Sequence, residues 1–277
     1  MELRNVLVLK GKELRDAWRN RWFVLYAVTF VGLALAMAWV SVAGIMGSGF
    51  AGLGRTAASL VNLVVLIVPL MGLTLGAGAI AGDRERGLLL YTLAQPVTLG
   101  EIVVAKFWGL ASALLAALLV GFGAATLIIA GPGAGGEIGA FVAFLGFSML
   151  IALAMASVGL LISSLSASAA TASGVALFVW LLLVLLGDLG LMGTALVLEL
   201  DASTLLLAAL LNPLQVFKLA AVVAIRGGAE VLGPAGLYAS RELGGALLPL
   251  LGAILLLWVI VPLVASWWLT RRRGVLA

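Results

Sequence analysis

Neither cysteine nor histidine occurs in the 277 residues of this chain. Without cysteine there can be no disulfide, iron–sulfur cluster or thiolate metal site, and no compartment can be read from cysteine usage. Without histidine the commonest general base and transition-metal ligand is missing. Seven methionines and twelve acids remain. They form no HExxH motif or mid-membrane aspartate pair, so neither a metal-centred enzyme nor an intramembrane protease is expected. Charge is also scarce, at 10% of residues against about 25% in soluble domains. With 64% hydrophobic residues and a mean hydropathy of +1.26, the chain carries more apolar surface than a soluble fold can hide.

What the sequence does have is long apolar runs. Crossing a hydrocarbon core of ~30 Å takes about 20 helical residues, and six runs suffice: about 22–46, 57–81, 102–130, 138–163, 170–191 and 245–270. The expected fold is an all-α integral membrane protein of six transmembrane helices, forming one domain over residues 1–277. Several runs stop at breakers such as Gly47-Ser48-Gly49, Gly82-Asp83 and Gly131-Pro132-Gly133. The first run is too long for the apolar region of a cleaved signal peptide and is expected to remain as a span. Trp18, Trp22 and Phe23 at its start, and Trp267 and Trp268 near the end of the last run, stand where an interfacial aromatic belt belongs.

Summed over alternate sides, twelve Lys and Arg fall on one face and four on the other, which predicts that both termini are cytoplasmic. The net charge of +4 is placed to meet anionic lipid rather than nucleic acid. Ahead of the first span, Leu3, Val6, Leu7, Leu14 and Trp18 recur at helical spacing, with Arg4, Lys12, Arg15, Asp16 and Arg19 on other faces. This pattern predicts an amphipathic helix lying on the cytoplasmic leaflet. A charged flank that merely sets topology is the plainer alternative. On the opposite side the longest connection runs from about Asp188 to Gly244. It is too apolar for a disordered loop, and Ala195–Leu211 and Pro213–Ile225 read as short amphipathic or re-entrant helices broken at Asn212-Pro213, Gly227-Gly228 and Gly233-Pro234. A further span there would set Glu199, Asp201, Lys218 and Arg226 in hydrocarbon.

None of the four lysines sits in a Gly-Lys-Ser/Thr context, so no phosphate-binding loop is present. Gly76-x-Gly78-x-x-Ala81 has a dinucleotide-like spacing but lies within an apolar run, where close helix packing explains it better. Gly72 with Gly76, Gly32 with Ala36, and the small-residue stretch 163–174 repeat that signal, either for contacts within the bundle or for a seam between two copies. The spans hold essentially no ionisable side chain, with Lys106 at an inner edge and Asp188 at an outer one, which disfavours a proton-driven carrier.

One segment stands apart. Between the second and third runs, residues 82–101, Asp83-Arg84-Glu85-Arg86-Gly87 precede Leu88-Leu89-Leu90-Tyr91 and a stop at Pro96. A charged cluster followed by an apolar turn predicts a short helix lying across the membrane face. An ordinary topogenic loop is the alternative, although a simple connection needs only a few residues.

This loop resembles that of type-2 ABC permeases, in which an acid and a glycine precede a short coupling helix, followed by a proline and by a lysine at the next span. Glu85, Gly87, Pro96 and Lys106 occupy those places. Lys12-Glu13-Leu14-Arg15-Asp16 with Arg19-Asn20-Arg21-Trp22 is similar to the family's entry helix, and the resemblance covers essentially the whole chain. Within the family it looks most like the NosY branch, on Arg19-Asn20-Arg21-Trp22, Ala57-Ala58-Ser59-Leu60 leading to Pro69-Leu70, and Leu211-Asn212-Pro213 with Phe217-Lys218.

The resemblance implies a permease without ATPase motifs of its own, in a bacterial or archaeal cytoplasmic membrane, paired with a second copy. A separate ATPase subunit would hold ATP and Mg. Asp83, Arg84, Glu85, Arg86, Gly87, Leu88, Leu89, Leu90, Tyr91 and Pro96 would form the coupling contact. For that branch it implies a part in maturing the copper site of nitrous oxide reductase. A periplasmic β-helical partner would be met by Asn212, Pro213, Phe217 and Lys218. No cofactor or metal is expected on this chain itself. A non-transporting scaffold that recruits assembly factors, or an exporter of unrelated cargo, remain the other readings.

Overall fold

A computed structural model of the chain describes residues 3–48, 51–129, 138–187, 202–226 and 242–273. Among the described residues the regular structure is all helical. In chain order the helices are α1 (Leu3–Arg19), α2 (Arg21–Ser48), α3 (Ala51–Glu85), α4 (Leu88–Leu93), α5 (Leu99–Ile129), α6 (Ile138–Leu165), α7 (Ala169–Leu185), α8 (Ala202–Leu210), α9 (Pro213–Arg226) and α10 (Leu247–Arg273), the last entered through a 3₁₀ turn at Gly244–Ala246. Helices are what lipid demands, because only they satisfy every backbone N–H and C=O within one segment.

Five of these helices, α2, α3, α5, α6 and α10, are long and apolar enough to cross a membrane. The fifth expected span is described only in part. α7 has 17 residues, about 26 Å at the α-helical rise, and continues as one wider turn at Leu186–Gly187. The remainder of that run, with Asp188, lies outside the described residues, as do the breakers at 131–133, 227–228 and 233–234 and the acids Glu199 and Asp201. The expected broken helices of the long connection are present as α8 and α9. They meet at Leu211-Asn212 with a bend of 111°, so the pair forms either a broken span or a re-entrant hairpin.

α3 is the central helix: 72% of its apolar stretch is buried, against 28% for α2 and for α10. It runs parallel to α6, and glycines bring the two backbones together. A Cβ on Gly72 would lie 2.6 Å from the Ala152 carbonyl oxygen, one on Gly76 2.4 Å from that of Ala156, and one on Gly159 2.5 Å from that of Leu73. The spacing of Gly72 and Gly76 thus marks a contact within the chain. Gly32 and Gly174, from the other small-residue motifs, have nothing within 4 Å.

Around this pair a line of aromatic rings joins four helices. Phe30 of α2 meets Phe122 of α5 at 5.4 Å, Phe122 meets Phe144 of α6 at 5.3 Å, and Phe144 meets Phe217 of α9 at 6.1 Å. Gly121 leaves room for the Phe30 ring, 2.5 Å from where its Cβ would be. Leu214, Val216, Phe217, Ala220 and Ala221 bury one face of α9, which holds the α8–α9 hairpin against α6, α10 and α3.

Candidate functional site

The chain's charge collects at one end of the bundle, where α2, α5 and α7 begin and α3, α6 and α10 finish. α3 does not stop at Gly82. It continues to Glu85 and is ended by Gly87, whose φ of 69° is the left-handed conformation that suits glycine. Six residues of α4 follow, then a turn through Pro96. α5 opens on a capping box: Thr98 N–H donates to Glu101 Oε2 (2.9 Å), and Glu101 N–H donates to Thr98 Oγ1 (3.3 Å).

This geometry divides the predicted coupling residues into two sets. Leu90 and Tyr91 are 53% and 72% exposed, and Leu88, Arg86 and Pro96 also face outward. Asp83, Arg84 and Leu89 do not. Leu89 is buried, because a one-and-a-half-turn helix lying on the bundle must turn one side chain inward. Arg84 reaches back to the α6–α7 turn and donates from Nη1 to the Ser166 carbonyl at 2.7 Å. Glu85 is exposed, yet its Oε2 accepts from Ala169 N–H at 3.0 Å. With Ser168, which accepts from Thr171 N–H, it caps the start of α7, where the helix dipole favours a negative charge.

Asp83 is the largest departure from expectation. It is buried and bonded to Lys106 Nζ, which also donates to Glu13 Oε1 at 2.8 Å. Arg86 Nη2 lies 3.1 Å from the other Asp83 oxygen. Lys12 Nζ stands 3.7 Å from Glu13 and 4.0 Å from Asp83. Each ion taken out of water costs several kcal/mol, roughly, and geometry this close is needed to offset it. One buried lysine therefore joins α1, the end of α3 and the start of α5. Sequence reading placed Lys106 at the edge of its span and as the lysine of the family's loop pattern, without a partner, and gave Glu13 no role beyond the entry-helix pattern. A signal was available: Gly72, Gly76, Ile80 and Asp83 recur at helical spacing on one face of α3.

α1 has the expected amphipathic character. Ala17 and Glu13 are buried against α5, whereas Leu7, Val8, Trp18 and Trp22 are exposed beside Arg15, Arg19 and Arg21. Close by, a cavity of about 710 Å³ opens between α2, α3 and α7, lined by Asn20, Trp22, Tyr26, Glu85 and Arg86 among others. On the far side of the same face Arg272 stacks 3.8 Å above the Trp268 ring.

At the opposite end the structure gives most of the predicted outer-contact residues work inside the chain. Asn212 Nδ2 donates to the Leu183 carbonyl at 2.7 Å, and its Oδ1 accepts from Leu214 N–H at 3.0 Å, so it caps α9 and pins it to α7. Pro213 is buried at the first position of α9, and Phe217 is fully buried against Phe144. Phe217 has no surface left to offer a partner. Lys218 is half-buried. The exposed apolar positions here are Leu207 and Leu211, at 65% and 77%.

Apolar helices long enough to cross a membrane, with charge gathered at one end, describe a multi-pass membrane protein, and known proteins resemble the chain along most of its length. Residues 7–275 match the family described as ABC-2 family transporter protein. The chain is 34% identical over 268 residues to the probable ABC transporter permease protein NosY of Stutzerimonas stutzeri, covering 95% of this chain and 96% of that one. It is 35% identical over 220 residues to the protein of the same name from Pseudomonas aeruginosa, covering 77% and 80%. With the match running almost end to end, this chain belongs to the ABC-2 family and is a multi-pass permease of the ABC transporter type.

Proposed function

We propose that this permease is driven by a separate ATPase subunit docked on its charged face, and that two copies of the permease work together in a cytoplasmic membrane with both termini inside. The observation that carries this reading is α4. It stands outside the bundle with Leu90 and Tyr91 largely exposed, an apolar plug of the kind that fills a groove on a partner. Arg86 beside it supplies charge for orientation. The loop that holds α4 is tied to α1, α5 and the α6–α7 turn, so force applied at Tyr91 reaches several spans. ATP and Mg are held by the ATPase subunit.

The likeness to the NosY permeases supports a role in nitrous oxide reductase maturation, with a periplasmic β-helical protein on the outer face. Because Pro213 and Phe217 are buried, the outer contact falls on the exposed side of the α8–α9 hairpin, at Leu207 and Leu211.

The test is Tyr91→Asp and Leu90→Asp, each co-expressed with the cognate ATPase subunit. A charge in a desolvated groove is expected to reduce co-purification of the ATPase by about tenfold or more. The permease should fold normally, since neither side chain packs in its core. Undiminished co-purification and ATP turnover would refute the docking assignment.

A further inference from the structure

α1 is not on the direct path from α4 to the spans, yet the structure ties it to the coupling loop at two places. Near its C-terminal end Glu13 accepts from Lys106, which also binds Asp83 at the base of the loop. Near its N-terminal end Asn5 Nδ2 donates to the Pro96 carbonyl at 3.2 Å, just beyond α4. Between these points α1 lies flat on α5: a Cβ on Gly109 would sit 2.4 Å from Glu13 Cβ and 3.3 Å from the Lys10 carbonyl oxygen. Lys106, Glu13 and Asp83 are 2%, 8% and 5% exposed.

A buried ion cluster is a poor way to gain stability, since apolar residues of similar volume do as well or better. What it provides is a fixed register among the elements that supply its members. The exit from α1 is equally constrained. Asn20 is the single residue between α1 and α2, and its Oδ1 accepts from Trp22 N–H at 3.0 Å. A one-residue joint takes up little slack, so a displacement of α1 is passed to α2.

We propose that Lys106 is a positioning residue that locks α1 to the coupling loop, making α1 a second transmission arm that carries ATPase-driven motion into α2. The inference rests on the coupling reading above and adds to it a second route, from the end of α3 and the Pro96 turn through α1 into α2. Lys106 touches neither the ATPase nor any cargo. Its role is to hold Glu13 and Asp83 in one body.

The experiment uses the permease–ATPase complex in lipid. Lys106→Met is expected to keep ATPase co-purification but to lower permease-dependent ATP turnover, and the nucleotide-dependent response of a fluorophore on an introduced cysteine at Val28 of α2, by about tenfold. The native chain has no cysteine, so within the permease the label goes to the introduced position alone, and it is attached before the ATPase subunit is added. The decisive readout is rescue. Asn5→Cys with Pro96→Cys, measured by turnover and without the label, should restore the function of Lys106→Met when a mild oxidant closes the disulfide and lose it when the disulfide is reduced.

Full coupling in Lys106→Met, or no rescue by a closed disulfide, would overturn the proposal. Should Lys106→Met fail to fold, the apolar set Glu13→Leu, Asp83→Leu, Lys106→Met removes the unpaired acids and is judged by the same readouts. Failure of the coupling reading itself looks different: Tyr91→Asp would then leave turnover unchanged in the otherwise native chain.

Discussion

A methyl group at Gly76 would sit 2.4 Å from the Ala156 carbonyl oxygen and 2.8 Å from the Leu160 nitrogen. Both are backbone atoms of α6 and cannot swing aside. Gly76→Val is therefore expected to force α3 and α6 apart and to destabilise the fold by about 1–3 kcal/mol, the usual cost of overpacking, read as a fall in thermal midpoint in detergent. Gly32→Val, with nothing within 4 Å of its Cβ position, should leave that midpoint nearly unchanged. The two glycines have similar small-residue spacing in the sequence, and only the fold separates them. Spacing names a helix face but not what lies opposite it.

For single helices, composition placed the long ones well and the joints poorly. A 20-residue apolar run can scarcely be anything but a span, so α2, α3, α5, α6 and α10 could be read from the sequence. Asp83 was harder to place: its spacing from Gly72, Gly76 and Ile80 marks the inner face of α3, but a charged run read one residue at a time looks like surface. Its burial depends on α3 continuing past Gly82 to Glu85 and on a lysine 23 residues later, a pairing with no local signature. The start of α5 was more accessible, since Thr98-x-x-Glu101 spells a capping box. Thr98→Ala and Glu101→Ala should each cost about 1 kcal/mol and speed hydrogen exchange in the first turn of α5. α4 should stay in place, because Leu89 still anchors it.

Across the whole molecule, the placement of charge predicts how the chain sits in a membrane. Residues of α1, α4 and the end of α10 share one face, whereas the Leu211 corner between α8 and α9 lies at the other. Single cysteines at Arg15, Tyr91 and Arg272 should react with a membrane-impermeant maleimide in inverted vesicles, and one at Leu211 only in right-side-out vesicles. Labelling of Arg15 and Leu211 from the same side would contradict this arrangement.

The glycine seam between α3 and α6 also limits how such a molecule can open. Backbone pressed on backbone at Gly72, Gly76 and Gly159, with Ser163 Oγ accepting from the Ile80 and Ala81 N–H groups at 2.9 and 2.8 Å, holds the pair in one register and opposes a one-turn ratchet of one helix past the other. The two helices must swing together as a single spar. Any gap that forms has to open along its flanks, towards α2, α7 or α10.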